Sequence, residues 1–476
     1  MVTPVAWTSF STGCTPPTHG IHEFSYLEPS DRSVCPNHAG RVRIPTLWHI
    51  LDAAGCATVS LNLPMTFPQP RVRGLIVSGA EAPSLDLAFD QCPDFGRELR
   101  SVLPDYTHKI LWKRRPRSLE ELEAISVRNQ AVFRAQAKAA LRADARVDWT
   151  ALMVHFHNLD SLQHRLWPYL DVDETGVREI GWNTEVEDCL IALDEAIGML
   201  LDLAARRDAA IVVSDHGFGP CRKLVNVNGL LCQARFQRSL RYGTRFQYRM
   251  IRMKERFRRW RNRNAPRNTS KMSPRPVEGQ IGCDWKRTVA FAPFGQLSGC
   301  IFLNRAILST QGAADRTTAE IIDLMKTCRD PETGELVFRD VFSVGDRYDL
   351  DPEQQGIPDI LALSADGFQA QAKWSVSARN EIFRHDANLP ATHWREGVFA
   401  IDAPGIRPGK NYAADLHDIA PTTLAMLGLE IPRSMEGRVI QEAFEESLPI
   451  HLGDSAAIGQ NVATDLRAVA LGVDYP

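Results

Sequence analysis

The apolar residues of this chain recur with two different periods, and the alternation between them predicts its elements. Pro45 to Leu51 carries a helical stretch that runs to Gly55, a glycine placed to cap it. Ala57 to Leu63 alternates as a strand stopped by Pro64, and Ala151 to Phe156 is a short apolar run of the buried-strand kind. Thr184 and Glu187 have the spacing of a capping box, and behind them Val186, Leu190, Leu193, Ile197 and Leu201 recur at helical spacing. Ala209 to Val213 is the next strand and Gly397 to Ile401 a late one. Asp418 to Leu427 is a helix with Pro421 in its first turn and Gly428 past its end. Strand, helix and strand at these lengths predict an α/β fold with a parallel sheet covered by helices.

The pattern breaks between about 232 and 380, so the predicted core is discontinuous: residues 1–231 and 381–476 build it, and 232–380 is an insertion. Inside the insertion, 235–263 is rich in arginine with Tyr242, Phe246, Tyr248, Phe257 and Trp260 interleaved. Such a segment can grip a phosphate-rich ligand or an anionic surface, but the plainer reading is a solvated insertion helix. Residues 264–276, with Pro, Ser and Asn, read as a loop.

Composition narrows the classes. With 476 residues, 44% of them hydrophobic, and a net charge of −3, the chain can bury a large core and has no overall drive toward an anionic polymer. No specific nucleic-acid binding is expected. A transmembrane helix needs about eighteen consecutive apolar residues, and no such run exists, so none is predicted. The ten cysteines are scattered without a Cys-x-x-Cys pair, and no signal-like stretch opens the chain. A reducing, cytoplasmic compartment is therefore the expectation.

Three polar clusters sit beside strands. Ser214-Asp215-His216-Gly217 directly follows the strand at 209–213, and ligands of open α/β sheets bind beyond the carboxyl ends of strands. Taken alone, an Asp-His pair there is more often a satisfied surface turn. Asp160 and His164 follow the strand at 151–156, and a spacing of four puts both on one helical face, where carboxylate and imidazole suit a zinc-like cation. His393 lies in a predicted turn before the strand at 397–401, by itself a polar loop residue. The two Asp/His pairs and the distant His together fit a two-metal site that clamps a transferring phosphoryl group from both sides. At the start of the chain, Thr3 reads as an N-cap with Pro4 at the first helical position, the helix running through Trp7 and Phe10 to Gly13. A hydroxyl there feels the positive end of the helix dipole, and free N–H groups suit a phosphate. On its own, Thr3 is an ordinary cap.

These residues resemble the type I phosphodiesterase/nucleotide pyrophosphatase family of the alkaline phosphatase superfamily. "TPVAWTSFSTGCTPPTHGIHEF" is similar to the family's nucleophile segment, "LDSLQHRLW" and "VVSDHGFGP" to two metal motifs, "THWREGVFAIDAPGI" to the third, and "DIAPTTLAMLGLEIPRSMEGRVI" to the closing helix. The resemblance implies an alkaline phosphatase-like three-layer sandwich with a mostly parallel central sheet and an inserted cap. It implies Thr3 as a nucleophile that forms a phosphothreonine intermediate. It also implies two divalent metal ions, zinc the first choice, held by Asp160, His164 and His393 and by Asp215 and His216. The substrate would be a small phosphoric ester. The family opens with a strand ending in a metal-binding Asp, whereas here only Met1 and Val2 precede Thr3. A truncated start and weakened binding of the second ion are expected. A phosphomonoesterase, a phosphonate hydrolase and an inactive remnant stay open as alternatives.

Overall fold

The computed structural model describes residues 2–110, 114–170, 184–205, 209–238, 253, 275–276, 283–295, 297–373 and 382–453. Most of the basic aromatic segment and of the loop after it lie outside these residues. The chain forms two compact units. The first comprises Met1–Ile21, Asn37–Phe218 and Asn388–Asp474; the second contains His22–Pro36 and Gly219–Ala387.

In the first unit β1 (Thr58–Leu61) is buried at all four positions because it is a central strand. Its neighbours β2 (Gly74–Val77) and β3 (Ala151–Val154) both run parallel to it, with Val59 paired to Leu75 on one side and Leu152 on the other. A parallel strand covered on both faces must be apolar in both directions, which is what this run supplies. One face packs on α3 (Leu119–Asp144), whose Ala135, Ala139, Ala140 and Ala143 let Val59, Leu61 and Val77 approach closely. On the other face Ile76 meets Trp7 and Phe10 of α1 (Thr3–Thr12) and Trp48 of α2 (Leu47–Ala53). Helices, sheet and helices make the three layers. α4 (Asn158–Leu170) follows β3 directly.

Helix α5 (Thr184–Ala204) packs on α3, but not through the whole predicted stripe. Val186 and Leu193 are buried, Leu201 is exposed, and Cys189, Ala192 and Ala196 complete the buried face. They meet Phe133 and Ala137 of α3, where small side chains on both helices permit close approach. Thr184 is already helical and its hydroxyl bonds Glu185, so the predicted capping box is not seen. β4 (Ala210–Val213) pairs with β6 (Phe399–Asp402) antiparallel, Val213 opposite Phe399, which adds an antiparallel partner to the parallel arrangement expected. α6 (Ile419–Met426) ends near Gly428 in the left-handed region, as the spacing predicts.

Helix α1 starts one residue before its predicted position: Val2 is the extended N-cap, and Thr3 and Pro4 are its first two helical residues. It closes at Gly13 with φ of 66°. In the second unit, strands Ala290–Phe291, Ser298–Leu303, Ile360–Ser364 and Phe338–Ser343 lie side by side in that order, covered by the helix Gln311–Lys326 through Ile321 and Met325. No described helix is long and apolar enough to cross a membrane.

Candidate metal centre

The ligand-type residues converge. Asp160 stands in the first turn of α4, and its Oδ1 lies 2.9 Å from His393 Nε2, 3.5 Å from His164 Nε2 and 3.8 Å from His216 Nε2. His164 Nε2 and His393 Nε2 are 3.1 Å apart, and His216 Nε2 is 3.4 Å from Asp215 Oδ2. The rings of His216 and His393 stack with centroids 3.4 Å apart. His393, expected in a turn, is instead on strand β5 (Ala391–Trp394). All these residues and Thr3 belong to the first unit.

Hydrogen bonds settle which nitrogens face the centre. His164 Nδ1–H donates to the Ala391 carbonyl at 3.0 Å, and His216 Nδ1–H donates to the Gly217 carbonyl at 3.0 Å. A neutral imidazole with its proton on Nδ1 presents a bare lone pair at Nε2, the form that ligates a metal. Burial holds both rings below their ordinary pKa, which keeps them neutral. Burial also works against the charge on Asp160, but the His393 hydrogen bond and the electrostatic effect of the surrounding imidazoles outweigh it and hold the carboxylate well below its usual range. Asp215 Oδ2 is buried with no hydrogen-bond partner. Bare nitrogens, an ionised carboxylate and an orphaned carboxylate oxygen are the donor set of a divalent cation such as zinc. The residues fit the group.

Helix α1, which begins with Thr3, packs beside His155 on the strand segment leading to α4. Trp7, one turn further along α1, has its ring 4.8 Å from His155, which follows β3. The sequence pattern also held neighbours that were not singled out. His155 was read only as part of a strand and His157 not at all, yet His157 acts electrostatically on Asp160. Two histidines spaced by one residue at the end of an apolar run, "LMVHFHNLD", were the available signal. Lys109, which acts on His157, lies on a segment without any such mark.

Asp215 makes the centre sensitive to pH. Burial pushes its carboxyl from 3.8 up to about 7. In the metal-free chain the resulting penalty is absent below the unfolded value, grows as the pH rises, and is constant above the folded one. A cation bound to this carboxylate removes the penalty. Zinc is therefore expected to raise the melting temperature more at about pH 8 than at about pH 5.5, with Asp215→Asn flattening the difference. Equal gains in the parent protein would exclude Asp215 as a ligand.

The sheet and its donor set define a phosphoester hydrolase of the alkaline phosphatase superfamily, a metal-dependent group. The chain belongs to the type I phosphodiesterase / nucleotide pyrophosphatase family, whose model matches residues 1–397. Among solved structures it is similar to phosphonoacetate hydrolase from Sinorhizobium meliloti 1021 in complex with phosphonoformate, at 16% identity over 90% of this chain and 84% of that one, with a TM-score of 0.52. It is also similar to human ectonucleotide pyrophosphatase / phosphodiesterase 5, at 13% identity over 94% and 88% of the two chains, with a TM-score of 0.45. The alkaline phosphatase PafA matches at 14% identity over 93% and 89%, with a TM-score of 0.48. No curated protein sequence matches the chain.

Proposed function

We propose that this protein is a phosphodiesterase that works through Thr3 and two divalent cations, zinc the first choice, held by Asp160, His164 and His393 and by Asp215 and His216. The observation that carries the reading is the meeting of five Asp and His side chains from α4, β5 and the end of β4, with Nε2 of His164 and His216 bare toward the centre. When bound, such ions supply Lewis-acid stabilisation of phosphoryl charge. The chain's own part is positioning. Thr3 sits at the positive end of α1, where unpaired backbone N–H groups and the helix dipole favour an anion and an ionised hydroxyl. Its Oγ forms a bond to phosphorus as the bond to the leaving oxygen breaks, and the departing alkoxide takes up a proton. Water then attacks phosphorus, the bond to Oγ breaks, and Thr3 recovers its hydroxyl. The scattered free cysteines support a cytoplasmic location.

Bis-nitrophenyl phosphate tests this. The zinc-loaded protein is expected to hydrolyse it, and Thr3→Ala to lose at least about a thousandfold in kcat with little change in zinc content. Equal rates for both proteins would rule out Thr3 as the nucleophile. Relative rates on mono- and diesters separate a diesterase from a monoesterase.

A further inference from the structure

Two strands of the first unit rest on one helix without pairing. β3 bonds β1 along one edge and β4 bonds β6 along one edge, and among the described strands neither has a partner on its other side. Met153 of β3 and Ile211 and Val213 of β4 nevertheless pack on the same cluster, which holds Trp7 and Phe10 of α1. The residues past both carboxyl ends also meet, with Asp160 Oδ1 3.8 Å from His216 Nε2, so the two strands point toward one centre. Their exposure does not match their sequence. "ALMV" and "AIVV" are apolar at every position, as strands covered on both faces must be, yet each residue is only half-buried, whereas all of β1 is buried. Open apolar edges on both sides of an unpaired seam suit a further strand, which would bond both edges and cover both runs.

The ligand count points to the same seam. Asp160, His164 and His393 offer three groups to one ion, but Asp215 and His216 offer only two to the other, where a catalytic zinc takes three protein ligands. Asp215 stands two residues past β4, and its Oδ2 is buried with no hydrogen-bond partner. A carboxylate ending a strand in the seam would arrive between the ends of β3 and β4.

The chain contains a segment of this kind. Residues 454–476 lie outside the described residues, and 468–474 among them read "AVALGVD". This is the longest apolar run in any segment outside the described residues, and like "AIVVSD" at the end of β4 it closes on an aspartate. The described chain stops close to the seam. Leu452 pairs with Ile431, and Ile431 belongs to a cluster on which Ala151 and Met153 of β3 also pack. From there the fourteen residues 454–467 can reach as far as about 50 Å when extended, the whole width of a folded unit.

We propose that residues 468–474 of this chain enter the seam between β3 and β4 as a parallel strand, and that Asp474 at its carboxyl end is the third ligand of the ion held by Asp215 and His216. The strand stands on the fold alone, whereas the role of Asp474 rests on the two-cation reading above.

Hydrogen exchange of the metal-free full chain tests the strand without any variant. The amides of 469–473 are expected to exchange at least about a hundredfold more slowly than those of 454–467, to the same degree at low and high protein concentration. Val469→Pro, which removes a ladder donor, is expected to lower the melting temperature by about 5 °C or more, and Asn461→Pro to leave it unchanged. Free exchange at 469–473 would overturn the strand, and protection that appears only at high concentration, with a dimer on gel filtration, would assign the seam to a second copy instead. Asp474→Asn is expected to retain about one zinc ion per chain where the parent holds about two, with the protection of 469–473 kept. Equal zinc content and affinity in both would remove Asp474 from the centre. If the parent binds no zinc, the two-cation reading fails, while exchange still decides the strand.

Discussion

Asp160→Asn is expected to abolish hydrolysis and metal retention together, with kcat/KM down by at least about a thousandfold. Oδ1 of Asp160 lies within 4 Å of three imidazoles, at 2.9, 3.5 and 3.8 Å. An amide of the same shape would remove the charge that draws a cation to this point. The amide oxygen could still accept from His393, but as a neutral and therefore weaker acceptor. The metal-free protein should be affected as well. The Asp160 carboxyl is held below its usual pKa, so its contribution to stability is present above the unfolded pKa and lost as the pH falls through the folded one. Asp160→Asn should therefore lower the melting temperature at neutral pH and have little effect in strong acid. Zinc content by atomic absorption and melting curves at the two pH values check both parts; a variant with full zinc content and full activity would remove Asp160 from the centre.

The second large effect is expected from a residue without a functional group. A methyl added at Gly217 would stand 1.9 Å from the carbonyl oxygen of Glu396, a backbone atom that cannot step aside alone. Gly397 is equally confined, its added Cβ falling 2.4 Å from Ser214 Oγ. Ser214 Oγ accepts the Val398 N–H at 2.7 Å, and Ser214 N donates to the Val398 carbonyl at 2.9 Å. Backbone therefore lies on backbone along 214–217 and 396–398, and this contact sets the stacked rings of His216 and His393. Gly217→Ala is expected to cost about 1–3 kcal/mol of stability, or more if the two segments part, and to lower zinc affinity about tenfold or more. Gly198→Ala is the control: nothing lies within 4 Å of its added Cβ, and in the interior of α5 the change should be neutral or stabilising by up to about 1 kcal/mol. Equal behaviour of the two variants in melting and zinc titration would contradict the packing argument.

What could be read from the amino-acid order was what is local. Apolar runs marked β1, β3 and β4, and the Asp and His residues immediately past β3 and β4 stood out because a chain leaving a buried strand meets polar chemistry at its end. Non-local geometry was not legible. The antiparallel course of β6 is set by pairing with β4, and the buried face of α5 is set by Leu122, Phe133 and Ala137 of α3, neither of which is written in the segment itself. The start of α1 differed by one residue because Val2, with no side-chain oxygen to cap, is the extended residue before it. His393 was assigned to a turn because "ATHW" is too short and too polar to mark a strand, and Lys109 carried no signal because its place depends on bonds to the distant carbonyls of Ala80 and Ala82.

Asp160 and His393 meet across 233 positions of chain. At about 5–20 residues per second, a ribosome needs roughly 10–50 s to synthesise that interval. Throughout it the nascent protein holds Asp160, His164 and then Asp215 and His216 without the imidazole that joins them. On the proposed reading, capture of metal by the complete site would follow the synthesis of residue 393, and a chain released before that point would hold only part of the donor set.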